Sequence, residues 1–122
     1  MGAAAVDRTK RVGAAAVDRT LTALADPHRR RVLELLHRRP RRAGELARAA
    51  GLSPPAMSRH LRVLREHGLV EEARSEDDAR CRIYRLRAGP LRELQHWLGD
   101  LERFWDEQLA AFKQHVEGKR AR

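Results

Sequence analysis

Sulfur is scarce in this chain. Of 122 residues one is cysteine and two are methionine. Cys81, being single, cannot close an intramolecular disulfide, and its place in a predicted strand suits packing. A redox role for it would rest only on having Arg80 and Arg82 as its neighbours in sequence. Aromatic residues are also few. Four of the five, Trp97, Phe104, Trp105 and Phe112, fall in one late segment, which argues against the scattered stacking platforms used to hold single strands. No run approaches the ~18 apolar residues of a membrane helix. Asp7 and Asp18 interrupt the apolar patches at the N-terminus, unlike a signal peptide. A cytoplasmic protein with no membrane partner is expected. A glycine-rich phosphate loop and a Cys/His nucleophile arrangement are both missing, and Glu71 and Glu72 fall in a hairpin rather than a pocket. No enzyme and no cofactor are therefore expected.

Positive charge is abundant: 26 Lys and Arg against 17 Asp and Glu give a net charge of +9. A polyanion is the natural partner of such a chain, because arginines that neutralise phosphates release condensed counterions. The stretch "PHRRRVLELLHRRPRR", Pro27 to Arg42, alone holds seven arginines and one glutamate.

Along the chain, "GAAAVDRT" occurs at Gly2 to Thr9 and again at Gly13 to Thr20. One recurrence does not make a solenoid, and a duplicated start is the simplest origin. Residues 1–13 are expected to form a flexible arm, 14–117 a single domain, and 118–122 a basic tail. Within the domain, alanines with Leu21 and Leu24 predict a helix from Ala14 to Ala25. Asp26 caps a second, started by Pro27, that buries Val32, Leu33, Leu35 and Leu36 before Pro40. A short helix follows from Ala43 to Ala50, closed by Gly51. "LVEEAR" and "CRIYRLR" read as two strands of a hairpin around "SEDDA". From Pro90 to Val116, Leu94, Leu98, Leu101, Trp105, Leu109, Phe112 and Val116 recur at steps of three and four, the stripe of one long amphipathic helix that Gly99 could bend.

Between the short helix and the hairpin stands "SPPAMSRHLRVLREHGLV". Ser53 can cap a helix whose first turn accepts Pro54 and Pro55, since those positions have no intrahelical use for an N–H. Gly68 closes it. At about 100° per residue, Met57, Leu61 and Leu64 share the inner stripe, while Pro55, Ser58, Arg59, Arg62 and Glu66 lie opposite. On an isolated helix such an outer face is usually just solvated. Here, the order short helix, tight turn, proline-started helix, hairpin makes a winged helix-turn-helix, mainly α with a small β-hairpin wing. That unit carries its second helix into the major groove of double-stranded DNA. A winged helix can instead bind a protein, and the acidic tip Glu76, Asp77, Asp78 would suit a basic partner. Arg59 and Arg62 favour DNA, because an interaction helix would expose apolar anchors.

Three stretches, "LADPHRRRVLELL", "GELARAAGLSPPAMSRHLRVLREHGLV" and "RIYRLRAGPLRELQHWL", together resemble the ArsR/SmtB family of winged helix-turn-helix regulators from about Leu21 to Phe112. The resemblance implies a homodimer, joined through the first and last helices, that binds a palindromic operator and represses transcription, often of its own operon. It places Pro54, Pro55, Ser58 and Arg59 at the DNA; Ser53 at the helix start, Arg62 a turn further on, and Arg80 and Arg82 on the wing complete the DNA-facing residues expected from the winged helix-turn-helix geometry. Many relatives carry polar residues where this chain has Pro54 and Pro55. Proline cannot donate, so base readout leans on Ser58, Arg59 and Arg62. The dimer interface is expected to use Leu21, Leu24, Leu94, Trp97, Leu98, Leu101, Phe104, Trp105 and Phe112, more apolar surface than a three-helix core can cover.

Many members of that family release DNA on binding metal, which makes a metal-responsive repressor an alternative. The thiol-type site needs cysteines where this chain reads "GELARAAG". The other site needs Asp, His and Glu at fixed spacing on the last helix, a pattern that Asp100, His96, His115 and Glu117 do not restore. His28, His37, His60 and His67 are scattered. "DP" followed by arginines, together with "ERFWDEQL", resembles the metal-independent branch. No metal ligand is expected. A small-molecule effector is left open, the aromatic stripe being read as dimer core rather than as a pocket.

Overall fold

A computed structural model describes the chain over residues 2–120, with side chains described over 13–119. The elements are α1 (Gly2–Leu24), α2 (Pro27–Arg38), α3 (Ala43–Ala50), α4 (Pro54–Glu66), β1 (Val70–Arg74), β2 (Arg82–Leu86) and α5 (Gly89–Arg120). Among the described residues, five helices and one antiparallel hairpin make the winged helix-turn-helix fold that the pattern predicts. Among the described residues no helix is long and apolar enough to cross a membrane.

Three boundaries differ from expectation. α1 starts at Gly2, so the backbone of the expected arm continues the helix, as a run of alanines favours; the arm's side chains up to residue 12 lie outside the described residues. α5 continues through residue 120 of the expected tail, and residues 121–122 lie outside the described residues. The strands are shorter than the runs that announced them, and Cys81 falls just before β2 rather than within it.

Local chemistry sets the corners. The Asp26 carboxylate accepts hydrogen bonds from the N–H groups of His28 (2.7 Å) and Arg29 (3.2 Å) at the start of α2. Burial pushes its pKa up, but those two N–H groups and the charges of His60 and Arg29 outweigh it, and the carboxyl ends below its ordinary value. In the same corner Arg29 donates to the Ala23 and Thr22 carbonyls (2.7 and 3.1 Å) and Arg30 to that of Leu24 (2.6 Å). The unpaired C-terminal carbonyls of α1 are thereby satisfied by cations, as the helix dipole favours.

The core joins Val32, Leu33, Leu35 and Leu36 of α2 to Leu46 and Ala47 of α3, Met57, Leu61 and Leu64 of α4, and Leu69 and Val70 at the entry to the hairpin. Each fully buried Leu or Met contributes about 1.5–3 kcal/mol. α1 packs along the beginning of α5. There Val17, Thr20 and Leu94 are buried, and the Thr20 hydroxyl donates to the Ala16 carbonyl at 3.1 Å. From Leu101 to Lys119 every side chain except Val116 is exposed.

Candidate nucleic-acid interface

The turn between α3 and α4 is set by one residue in the left-handed region. Gly51 has φ 68°, and the N–H of Leu52 reaches back to the Ala47 carbonyl at 2.9 Å. A Cβ at Gly51 would meet no neighbour, so the requirement for glycine there comes from the backbone angle and not from crowding. Ser53 Oγ accepts from the Ala56 N–H at 3.3 Å, and Pro54 and Pro55 fill the next two positions. Gly68, at φ 74°, ends the helix in the same way, with Leu69 N–H on the Leu64 carbonyl at 2.9 Å.

These two corners fix the rotation of α4 about its own axis. Met57, Leu61 and Leu64 are buried, and Ser53, Pro54, Pro55, Ser58, Arg59 and Arg62 are all exposed. Among the described residues, no ion pair engages Arg59 or Arg62, whereas Arg65 on the last turn is paired with Glu72. His60, half-buried, lies 5.6 Å from the His28 ring and links α4 to the start of α2. Arginines that are exposed, unpaired and on one helix face are chemically equipped to bind phosphate or the acceptors of guanine.

The wing is stitched to the body at its root. β1 and β2 pair antiparallel with Val70 opposite Leu86, Glu72 opposite Tyr84 and Arg74 opposite Arg82. Beyond the hairpin, Arg41 exchanges two backbone hydrogen bonds with Tyr84 (3.2 and 2.8 Å), adding a one-residue third strand from the α2–α3 connection. At the far end Asp78 organises the turn. Its carboxylate accepts from the Arg80 N–H at 3.0 Å and faces the Cys81 thiol at 3.4 Å. The Arg80 N–H is the main reason that the Asp78 carboxyl titrates below its ordinary value, followed by Cys81 and the charge of Arg42. Cys81 thus belongs to the wing turn, where its neighbour is a carboxylate, and packing in a strand is not its role.

Arg80 stands exposed in that turn and Arg82 at the start of β2, the end of the strand nearest the turn. Arg82 is not free. Its guanidinium meets Glu72 Oε1 at 2.6 Å, and Glu72 Oε2 meets Arg65 of α4 at 2.8 Å. The expected list of DNA-facing residues contains neither Glu72 nor Arg65. The signal was present in the alternation of β1: Glu72 shares a strand face with buried Val70, and an acid at an inward position needs a partner.

The residues expected at a dimer interface divide into two groups. Leu21, Trp97, Leu98, Leu101, Phe104, Trp105 and Phe112 are exposed at 37–66% of their surface. Leu94 is buried within the protomer, and Leu24 packs against its core. Among the described residues no group of three His, Cys, Asp or Glu could hold a metal ion.

Residues 24–73, from the end of α1 to the hairpin, match the family model described as a helix-turn-helix domain. The chain is 37% identical over 97 residues to the HTH-type transcriptional regulator Rv2034 of Mycobacterium tuberculosis, covering 80% of this chain and 85% of the relative. It is 29% identical over 76 residues to the transcriptional repressor SdpR of Bacillus subtilis, covering 62% and 81%. Among solved structures, an ArsR-like transcriptional regulator from Rhodococcus sp. RHA1 superposes with a TM-score of 0.71 at 32% identity, covering 82% of this chain and 92% of that one. The homodimeric winged helix-turn-helix DNA-binding domain Mb0332 of Mycobacterium bovis, a possible ArsR-family regulator, does so with a TM-score of 0.58 at 29% identity, covering 82% and 87%. With the helix-turn-helix, the stitched wing and these likenesses together, the chain belongs to the ArsR family of winged helix-turn-helix transcriptional regulators.

Proposed function

We propose that this regulator is a homodimeric repressor that lays α4 of each protomer into the major groove of a palindromic operator, and that the operator lies beside its own gene. The observation that carries the reading is the outer face of α4, where Ser58, Arg59 and Arg62 are exposed opposite a buried Met57, Leu61, Leu64 stripe. Arg59 suits guanine, since its guanidinium can pair with O6 and N7 together. Arg62 suits phosphate, and Pro54 and Pro55 suit the groove wall or a thymine methyl. Arg80, in the exposed wing turn, reaches for the neighbouring minor groove or its phosphates. Repression follows from occupancy of the promoter and agrees with the name of the repressor SdpR.

Dimerisation is supported by the exposed aromatic stripe of α5 and by the homodimeric state named for Mb0332. Trp105 is 55% exposed in the protomer and lies outside its core, so Trp105→Ala should leave the winged core folded and cost about 3–5 kcal/mol at the interface. Sedimentation equilibrium reads this directly, and a wild type that sediments as a monomer at micromolar concentration overturns the dimer. Footprinting on the DNA around the gene tests the rest: two protected half-sites, one helical turn apart, are expected. Protection of a single asymmetric site, or of none, sinks the operator reading.

A further inference from the structure

Between the last turn of α4 and the strands of the wing is a shallow notch lined by Arg65, Glu72, Ala73, Arg74 and Arg82. Glu72 is its fixed point. The side chain of Glu72 is only 11% exposed, whereas those of Arg65 and Arg82 are 51% and 71% exposed, and each carboxylate oxygen meets a different arginine, at 2.8 and 2.6 Å. A carboxylate held this deep between two solvent-facing cations is not a surface ion pair of the kind that contributes little. Its removal uncouples two elements as well as changing a charge.

We infer that Glu72 is a specificity-determining positioning residue of the DNA-binding surface, acting without touching DNA. It ties Arg65 of α4 to Arg82 of the wing and so fixes the distance at which helix and wing meet one duplex. The inference rests on the reading of α4 and the wing as the DNA surface. Two consequences follow from the chemistry. A guanidinium has five N–H donors, so Arg65 and Arg82 keep donors for phosphate while the carboxylate holds them in place. And the three groups together carry one positive charge where two arginines alone would carry two, which restrains sequence-independent attraction to any duplex. Fixed geometry favours the one duplex shape that presents phosphates to helix and wing at once. Restrained charge weakens binding to all the others.

The test compares the dimeric full chain on two duplexes of equal length and composition, one selected by the wild type from a random pool and one scrambled, across a salt titration. Glu72→Gln keeps the shape and removes the charge. It should tighten binding to the scrambled duplex, steepen its salt dependence by about one ion, and lower the ratio of selected to scrambled affinity by about tenfold. Glu72→Asp keeps the charge but is too short to span both arginines. It should lower the same ratio without tightening the scrambled duplex, which a purely electrostatic brake would not do. Should Glu72→Gln fail to fold, Glu72→Asp together with Arg82→Gln carries the test. Arg82→Gln cuts the tie from the wing side, and the double variant should lose no more discrimination than the worse single one. Ratios in Glu72→Asp and Glu72→Gln within twofold of wild type overturn the inference, and so does an equal fall on both duplexes. A wild type that selects no preferred duplex overturns the DNA-reading assignment itself, and this inference with it.

Discussion

Between Pro27 and Arg42, five of seven arginines are engaged by the protein itself. Arg29 and Arg30 close the end of α1, Arg41 donates to the Leu35 carbonyl, and Arg31 and Arg39 pair with Glu34 and Glu45. On α4 the opposite holds. Arg59 and Arg62 are exposed and take part in no ion pair among the described residues, and only Arg65, at the helix end, is tied. The residue type is the same and the charge the same, yet one group holds the fold and the other is available for a ligand. The difference is one of placement: α2 begins beside a helix terminus whose carbonyls attract cations, whereas the outer face of α4 has no such neighbour. Net charge still draws a polyanion from a distance in both cases. An N–H already bonded within the protein is lost to a phosphate, however, so each of these arginines offers fewer donors than a free one.

The comparison implies a crossed pattern of mutational effects. Arg59→Ala should give the largest effect on DNA, a loss of about 1–3 kcal/mol confined to the operator, with relaxed preference at one base. Its melting temperature should not change, and an unaltered affinity across a salt titration would break the distinction. Arg29→Ala should do the reverse. The loss of two bonds to the end of α1 should cost about 1–2 kcal/mol of folding stability by denaturant titration, while the folded fraction binds operator as the wild type does. Asp26→Ala sharpens the same corner, at about 1 kcal/mol for a lost helix cap. Because the folded state holds the Asp26 carboxyl below its ordinary pKa, this stabilisation is complete above the ordinary carboxylate range and fades as pH falls through the lower, folded value. Asp26→Asn, which keeps an acceptor without a charge, should not show that fading in an acid melting series. Arg62→Ala should weaken selected and scrambled duplexes alike and reduce the salt slope by about one ion. Smallest of all, stoichiometric zinc, cadmium or arsenite should leave operator affinity where it was, and calorimetry showing tight metal uptake with loss of DNA would contradict this.

What could be read in advance was whatever local chemistry decides. Asp26, Ser53 with Pro54 and Pro55, Gly51 and Gly68 mark element ends within three or four residues of themselves, and periodicity assigned Met57, Leu61 and Leu64 to the core. Contacts between distant segments were not legible. Arg29 reaches a carbonyl across a corner, Arg41 pairs with Tyr84 of the wing, and Glu72 joins two arginines from different elements. Periodicity reports a face but not what fills it. Leu94 and Leu98 belong to one stripe, yet Leu94 is buried against the protomer and Leu98 is 49% exposed. Counting arginines in a window has the same weakness, since it registers the charge and not its neighbours.

The far half of α5 has a consequence for how the protein behaves as a population. The helix has 32 residues, about 48 Å at 1.5 Å per residue, and from Leu101 onward it gains almost no cover from its own protomer. Most of a helix's stability in a protein comes from packing of its apolar face, and this segment receives almost none of that from its own protomer. In the proposed dimer, where a second copy would cover it, its folding would be a bimolecular event, and the melting temperature would rise with protein concentration. At low abundance the number of competent dimers then grows as the square of the number of chains, so a regulator placed on its own promoter would respond to its own level more steeply than a monomer could.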